Sequence, residues 1–212
     1  MRDLVYYVAT SIDGYIAASD GAFTAFPQDP ATLRALFTRY PETCPAHARA
    51  ALGITEPPRR FDTVIMGYKT YEPALAVDLP GGAYPHLHQV VATHRHLPEA
   101  LGLTTISGDL TTQVTNLKAG AGRDIWLCGG AHLAAQLMDL IDEIQVKVNP
   151  VILGDGIPLL PSADAPRPFC LTAMEELPGE VALLTYRLRR DTTSQRAQLG
   201  RVSQTLSLRR QG

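Results

Sequence analysis

Three stretches set glycine, hydroxyl or basic residues at the end of an apolar run. They are Val64-Ile65-Met66-Gly67-Tyr68-Lys69-Thr70, Val91-Ala92-Thr93-His94-Arg95 and Trp126-Leu127-Cys128-Gly129-Gly130-Ala131-His132-Leu133. Glycine lets backbone N–H groups come close to a phosphate, and a helix start behind it adds a favourable dipole. Lysine, arginine and threonine supply charge and hydrogen bonds. A phosphate-bearing nucleotide is the ligand that suits this chemistry. Each stretch alone reads equally well as a tight turn with solvated charge, and it is their joint occurrence that points to a nucleotide. Neither GxGxxG nor GxxxxGK[ST] occurs, so a standard dinucleotide fingerprint and a P-loop are both excluded.

Other residues carry weaker signals. Asp13, in Ser11-Ile12-Asp13-Gly14, is a candidate polar group for a substrate cleft and equally a turn former. His86, His88, His94 and His96 invite a metal reading, because strand residues two apart share a face. No acid or cysteine completes a ligand set there, and no metal is expected. Cys44, Cys128 and Cys170 are odd in number and form no CxxC pair, so they read as reduced thiols rather than a disulfide framework.

These turns need strands and helices to position them. Apolar runs predict strands at 4–9, 62–67, 89–93, 104–106 and 125–128. Asp29 caps an expected helix opening at Pro30, and Asp109 caps another over 110–118. A third helix is expected from Gly129-Gly130 to about Leu140. Four prolines between 41 and 60 indicate loop with one short helix near Ala46–Leu52. Ile144, Val146 and Val148 alternate with Gln145, Lys147 and Asn149, the period of a half-buried strand. Two last strands, near 170–174 and 181–188, have no helix between them. The alternation implies an α/β domain with a mainly parallel central sheet, helices on both faces and an antiparallel C-terminal edge. Ligands of such sheets bind beyond the carboxyl ends of the strands, where all three turns would lie.

A chain of 212 residues fits one domain large enough to need no disulfide or metal. It has no signal-peptide pattern at its start and no run approaching a membrane span, so a cytoplasmic protein without a membrane partner is expected. From Arg187 to Gly212 there are seven arginines and one acid, a charge of about +6 against −2 for the whole. Residues 1–190 therefore read as the domain and 191–212 as a basic, polar, disordered tail. A solvated tail is the expectation, and nucleic acid is not an expected partner.

Four segments, in order, resemble the dihydrofolate reductase superfamily, and more closely its bacterial branch that includes the reductase domain of the riboflavin-biosynthesis deaminase/reductase. They are Val8 to Ala17, Asp62 to Glu72, Asp124 to Gln136, and Val148-Asn149-Pro150-Val151-Ile152-Leu153-Gly154-Asp155-Gly156-Ile157-Pro158. The resemblance runs from residue 1 to about 188. It implies a dihydrofolate-reductase-like fold and hydride transfer from NADPH to a small heterocyclic, pteridine- or pyrimidine-like substrate. Gly129, Gly130, Ala131, His132 and Leu133 would hold the cofactor pyrophosphate. Gly67, Lys69 and Thr70 would meet its phosphates and adenosine ribose, and Ala9 and Ile16 the nicotinamide amide. Thr93 and Arg95, with His94 beside them, match the turn that meets the 2′-phosphate, which favours NADPH over NADH. Related reductase domains often pair, so a homodimer is implied.

The chain also departs from the family. Dihydrofolate reductases carry a carboxylate on the helix after the first strand, where the run Pro30-Ala31-Thr32-Leu33 puts Thr32. Riboflavin-pathway reductases carry a glutamate before the glycine pair, where Leu127 and Cys128 stand. Thr32 and Asp13 are the remaining candidates on the substrate side, and residues 18–60 are expected to line that pocket. The missing acid leaves a second reading open, an NADP(H)-binding regulatory protein with the fold and little turnover.

Overall fold

The computed structural model describes residues 1–77, 79, 81–161 and 166–189. The tail expected at 191–212 lies outside them. The first strand, β1 (Leu4–Thr10), is followed by a short β2 (Tyr15–Ala17) and by helices α1 (Pro30–Arg39) and α2 (Ala46–Arg49). Then β3 (Phe61–Gly67) runs directly into α3 (Tyr68–Ala76), and β4 (His88–Ala92) and β5 (Leu103–Ile106) lead to α4 (Leu110–Ala119). Next come β6 (Asp124–Leu127), α5 (Ala131–Gln136), β7 (Glu143–Val148), β8 (Ile157–Pro158), β9 (Phe169–Leu177) and β10 (Val181–Leu188). The helix expected to reach Leu140 is shorter: α5 ends at Gln136, and a 3-10 turn, Met138–Leu140, follows.

The main sheet has eight strands in the order β5-β4-β3-β6-β1-β7-β10-β9. From β5 to β7 every pairing is parallel, whereas β10 runs antiparallel to both β7 and β9. The expected parallel sheet with an antiparallel C-terminal edge is what forms. Side chains alternate across it. Leu4, Tyr6, Val8, Ile65, Ile125 and Leu127 pack with Val114 of α4 and Leu133 and Ala134 of α5. Val5, Tyr7, Val64, Met66 and Trp126 pack on the other face with Tyr40 and with Tyr71 of α3. Both faces are covered, as parallel sheets require.

One strand differs from its expected form. On β7 the alternation is present, but the polar side faces a second core and not water. Glu143 is 3% exposed and Gln145 2%. Glu143 receives Arg60 Nη1 at 2.8 Å and Arg187 Nη1 at 3.0 Å, and Gln145 Nε2 donates to Tyr40 Oη at 3.1 Å. β7 is flanked by β1 and β10, and the segment after α1 covers this face, so Glu143 and the Gln145 amide nitrogen find partners inside the protein, while Gln145 Oε1 is buried without one.

Candidate functional site

The carboxyl ends of β1, β3, β4, β5, β6 and β7 share one edge of the sheet, and two cavities of about 260 Å³ each open there. The first is mainly apolar, with Val8, Ile16, Phe23, Phe26, Leu33 and Leu36 around Thr32, Gln28, Asn149 and Lys147. Ala9 and Gly129 also line it. The second is more polar and is lined by Gly67, Thr93, His94, Ser107, Gly108 and His132, with Leu133 beneath.

The glycine pair lies between them. Gly129 has φ +60° and Gly130 φ +71°, a left-handed conformation at two successive positions that side chains rarely adopt. A Cβ on Gly129 would stand 3.2 Å from Thr70 Oγ1, so Thr70 packs under the turn from α3. Gly129 borders the first cavity, and three residues later His132 borders the second. Gly67 ends β3 as the cap of α3, and a Cβ there would meet nothing within 4 Å, which leaves open space over the start of that helix. Lys69 is exposed on the first turn of α3. Thr93 is half-buried, and its Oγ1 accepts from Arg95 N at 2.9 Å. The exposed Arg95 guanidinium lies 4.2 Å over the Tyr68 ring; both residues adjoin lining residues in sequence, Arg95 after His94 and Tyr68 after Gly67, without lining the cavity themselves.

The residues expected to meet a cofactor thus gather on one edge: Ala9, Ile16 and Gly129 at the first cavity, and Gly67, Thr93, His132 and Leu133 at the second. Gly130 and Ala131 connect the two. The open, left-handed glycine turn, the hydroxyl of Thr93 and the basic residues around them fit a dinucleotide phosphate chain.

Of the two substrate-side candidates, one lines the first cavity and the other does not. Asp13 is exposed and does not line the cavity. Its carboxylate accepts from Gly154 N at 2.7 Å and Leu153 N at 3.2 Å, which ties the β1–β2 turn to the loop before β8. A hydrogen bond from Ser11, with those from Gly154 and Leu153, holds Asp13 below the usual carboxylate range. In this position Asp13 closes the turn. Thr32 does line the first cavity, but its hydroxyl is engaged by Asp29 Oδ2 at 3.0 Å and by the Pro178 carbonyl oxygen. Asp29 caps α1 through Thr32 N at 2.8 Å, and those bonds hold its carboxyl low. His86 and His88 go to separate partners, the Glu42 carbonyl oxygen and Thr104 Oγ1.

Lys147 is the residue that sequence reasoning missed. It is the third member of the polar row on β7, and its Nζ lies 3.9 Å from the centre of the Tyr7 ring. Burial pushes its ammonium down to about 8, slightly opposed by Cys128. Burial likewise pushes the Cys128 thiol up to about 12. The alternation on β7 was readable in the sequence, but only a covered second face makes its lysine part of a cavity.

The family model of the RibD C-terminal domain matches residues 2–182. Among curated relatives, the uncharacterized Bacillus subtilis (strain 168) protein YwjB is 29% identical over 163 residues, 74% of this chain and 82% of that one. Among solved structures, a Shewanella sp. PV-4 protein assigned to riboflavin biosynthesis superposes with a TM-score of 0.64 at 22% identity. That match covers 90% of this chain and 100% of the other. Dihydrofolate reductase from Enterococcus faecalis, solved with NADP(H), gives a TM-score of 0.60 at 13% identity, over 89% of this chain and 97% of its own.

Proposed function

The chain belongs to the RibD C-terminal domain family, and from that premise we propose that it is an NADPH-dependent reductase acting on a small pteridine- or pyrimidine-like heterocycle. The observation that carries this reading is the pair of cavities joined at Gly129-Gly130 on the carboxyl edge of the sheet. The apolar one suits a flat ring, and the polar one suits the adenosine end of a dinucleotide.

Gly129, Gly130, Ala131, His132 and Leu133 would hold the pyrophosphate, with Gly67, Lys69 and Thr70 near the phosphates and ribose. Thr93 and Arg95 would meet the 2′-phosphate, and Ala9 and Ile16 the nicotinamide amide. When bound, the cofactor supplies a hydride. The protein's own part is to bring a ring against Ala9, exclude water with Phe23, Phe26, Leu33 and Leu36, and hold the ring's polar edge. Orientation of this kind is a large share of what an active site contributes.

One observation favours a second reading. Among the described residues no carboxylate lines the first cavity, and the Thr32 hydroxyl is already engaged, as in a protein that binds NADP(H) without turnover. NADPH titration followed by its consumption with dihydropteridine and aminopyrimidinedione substrates separates the two. Binding with consumption supports the reductase, binding without consumption the sensor, and failure to bind NADPH overturns both.

A further inference from the structure

The substrate side of the first cavity has an electrostatic polarity that its ring-sized shape does not reveal. Thr32 Oγ1 is held by Asp29 and Pro178. Asn149 Nδ2 donates to the carbonyl oxygens of Thr10 and Lys147, both at 3.0 Å. Gln28 Nε2 donates to the Phe26 carbonyl oxygen. Asp29, next in sequence to the lining residue Gln28, is turned onto the α1 cap. Lys147 is different. Among the described residues it has no carboxylate and no hydrogen-bond acceptor, and its ammonium rests on the π-face of Tyr7.

Its position follows from β7. Glu143 and Gln145 lie four and two residues earlier on the same face: Arg60 and Arg187 neutralise the carboxylate, and the Gln145 amide donates to Tyr40 and Glu143, which leaves Gln145 Oε1 buried without a partner. The lysine at that end is paired in register with Ala9 of β1, the residue placed against the nicotinamide amide in the reading above. Neighbouring strands lie about 4.8 Å apart. A ring held by Lys147 is therefore held beside the place from which hydride is delivered. The uncompensated ammonium favours an oxygen acceptor, most strongly one that carries negative charge, and repels a protonated amidine.

Resting on the reductase reading, we propose that Lys147 determines substrate class: its ammonium donates to a ring oxygen, so the cavity takes oxo-heterocycles bearing a lactam or imide edge and rejects cationic amino-heterocycles. This polarity is opposite to that of a carboxylate-lined pocket, which holds an amidinium edge. Cys128, just after β6, acts electrostatically on the ammonium, and Tyr7 of β1 places its ring against it; burial keeps both the thiol and the phenol protonated and neutral at neutral pH.

The test uses two pteridines with the same ring system and opposite edges, the 2,4-dioxo compound and its 2,4-diamino counterpart, titrated by fluorescence at pH 7. Wild-type protein should bind the dioxo ring at least tenfold more tightly. Lys147→Met should lose at least tenfold for the dioxo ring and none for the diamino ring, and Lys147→Arg should keep most of the preference. A wild-type preference for the diamino ring, no preference, or a Lys147→Met protein with unchanged selectivity would overturn the proposal. The wild-type comparison stands even if a variant fails to fold. NADPH is titrated separately into the same wild-type sample: loss of NADPH binding with the dioxo preference intact overturns the reductase reading and leaves the role of Lys147 standing.

Discussion

Gly130 is the residue on which the cofactor reading is most exposed. Its φ is +71°, and a Cβ there would meet nothing nearer than 3.8 Å, from Leu133 Cβ and Thr70 Oγ1. Gly130→Val is therefore strained by about 1–3 kcal/mol through the backbone angle and not through a clash, while its methyl groups enter the space between the cavities. A melting curve should show a folded protein with a modest loss, and an NADPH titration should show no binding at concentrations that saturate wild type. A folded variant with wild-type affinity would remove the turn from the site. Arg95 makes a more selective forecast. With its guanidinium stacked on Tyr68 and its chain neighbour His94 lining the second cavity, Arg95→Ala should weaken NADPH by about 1.5–3 kcal/mol, the worth of a charge-assisted hydrogen bond, and leave NADH nearly unchanged. Equal losses for the two cofactors would refute a 2′-phosphate contact.

Among the elements, the segment between α1 and β3 holds more structure than its prolines suggest. Glu42, in the 3-10 turn Pro41–Thr43, is fully buried. Its carboxylate accepts from Arg60 N and Phe61 N at 2.7 Å each and from Arg59 N at 3.0 Å. The side chain of a loop thus terminates the entry to β3, where no strand neighbour can serve those N–H groups. Glu42→Ala would leave three donors without an acceptor, at about 1–3 kcal/mol each. Urea unfolding should show a loss of at least about 3 kcal/mol, and a variant within 1 kcal/mol of wild type would mean that water replaces the clamp. On α1, Gly179 fits against the capped end: its φ is +75°, and a Cβ would come within 2.4 Å of Thr32 Oγ1. The β9–β10 connection therefore helps to fix the helix that walls the first cavity.

Two buried charges act on the whole molecule. Lys118 of α4 reaches Asp142 Oδ2 at 2.5 Å and the Leu140 carbonyl oxygen at 2.6 Å, and Asp142 also accepts from Leu4 N. This pair ties α4 to the start of β1 and β7. Asp142→Ala leaves the lysine charge buried and should cost about 3–5 kcal/mol in thermal or chemical denaturation. Lys147 acts through pH. Its folded value, about 8, lies below its ordinary 10.5, so between these values the unfolded chain binds more protons. Stability should rise with pH across that window on its account, by at most about 1.4 kcal/mol per pH unit. The buried phenols of Tyr6 and Tyr7 act in the opposite direction only above about pH 10, because burial favours their neutral form. Denaturation from pH 7.5 to 9.5 should therefore be steeper for wild type than for Lys147→Met, and parallel curves would show that the lysine is solvated.

The order of strands and helices, the antiparallel edge and the three turns at one edge were all determined by local signals. Glycine at the strand ends, Asp29 and Asp109 at helix starts, and period-two alternation act within a few residues of themselves, so a linear reading recovers them. Where polar side chains point is not local. Asp13 had a turn role and a cleft role open to it in the sequence, and the turn role is the one the fold supplies partners for, because Leu153 and Gly154 come back across the molecule to donate to it. Thr32 reached the first cavity with its hydroxyl engaged twice, locally by Asp29 and by Pro178 arriving from a distant hairpin. Lys147 looked like the solvent side of a half-buried strand. It became a cavity cation because β10 and the segment around Tyr40 cover that face, pair Glu143 and Gln145, and leave the lysine without a counter-charge. Burial of a face depends on which distant segment packs on it, and that is settled only when the sheet closes.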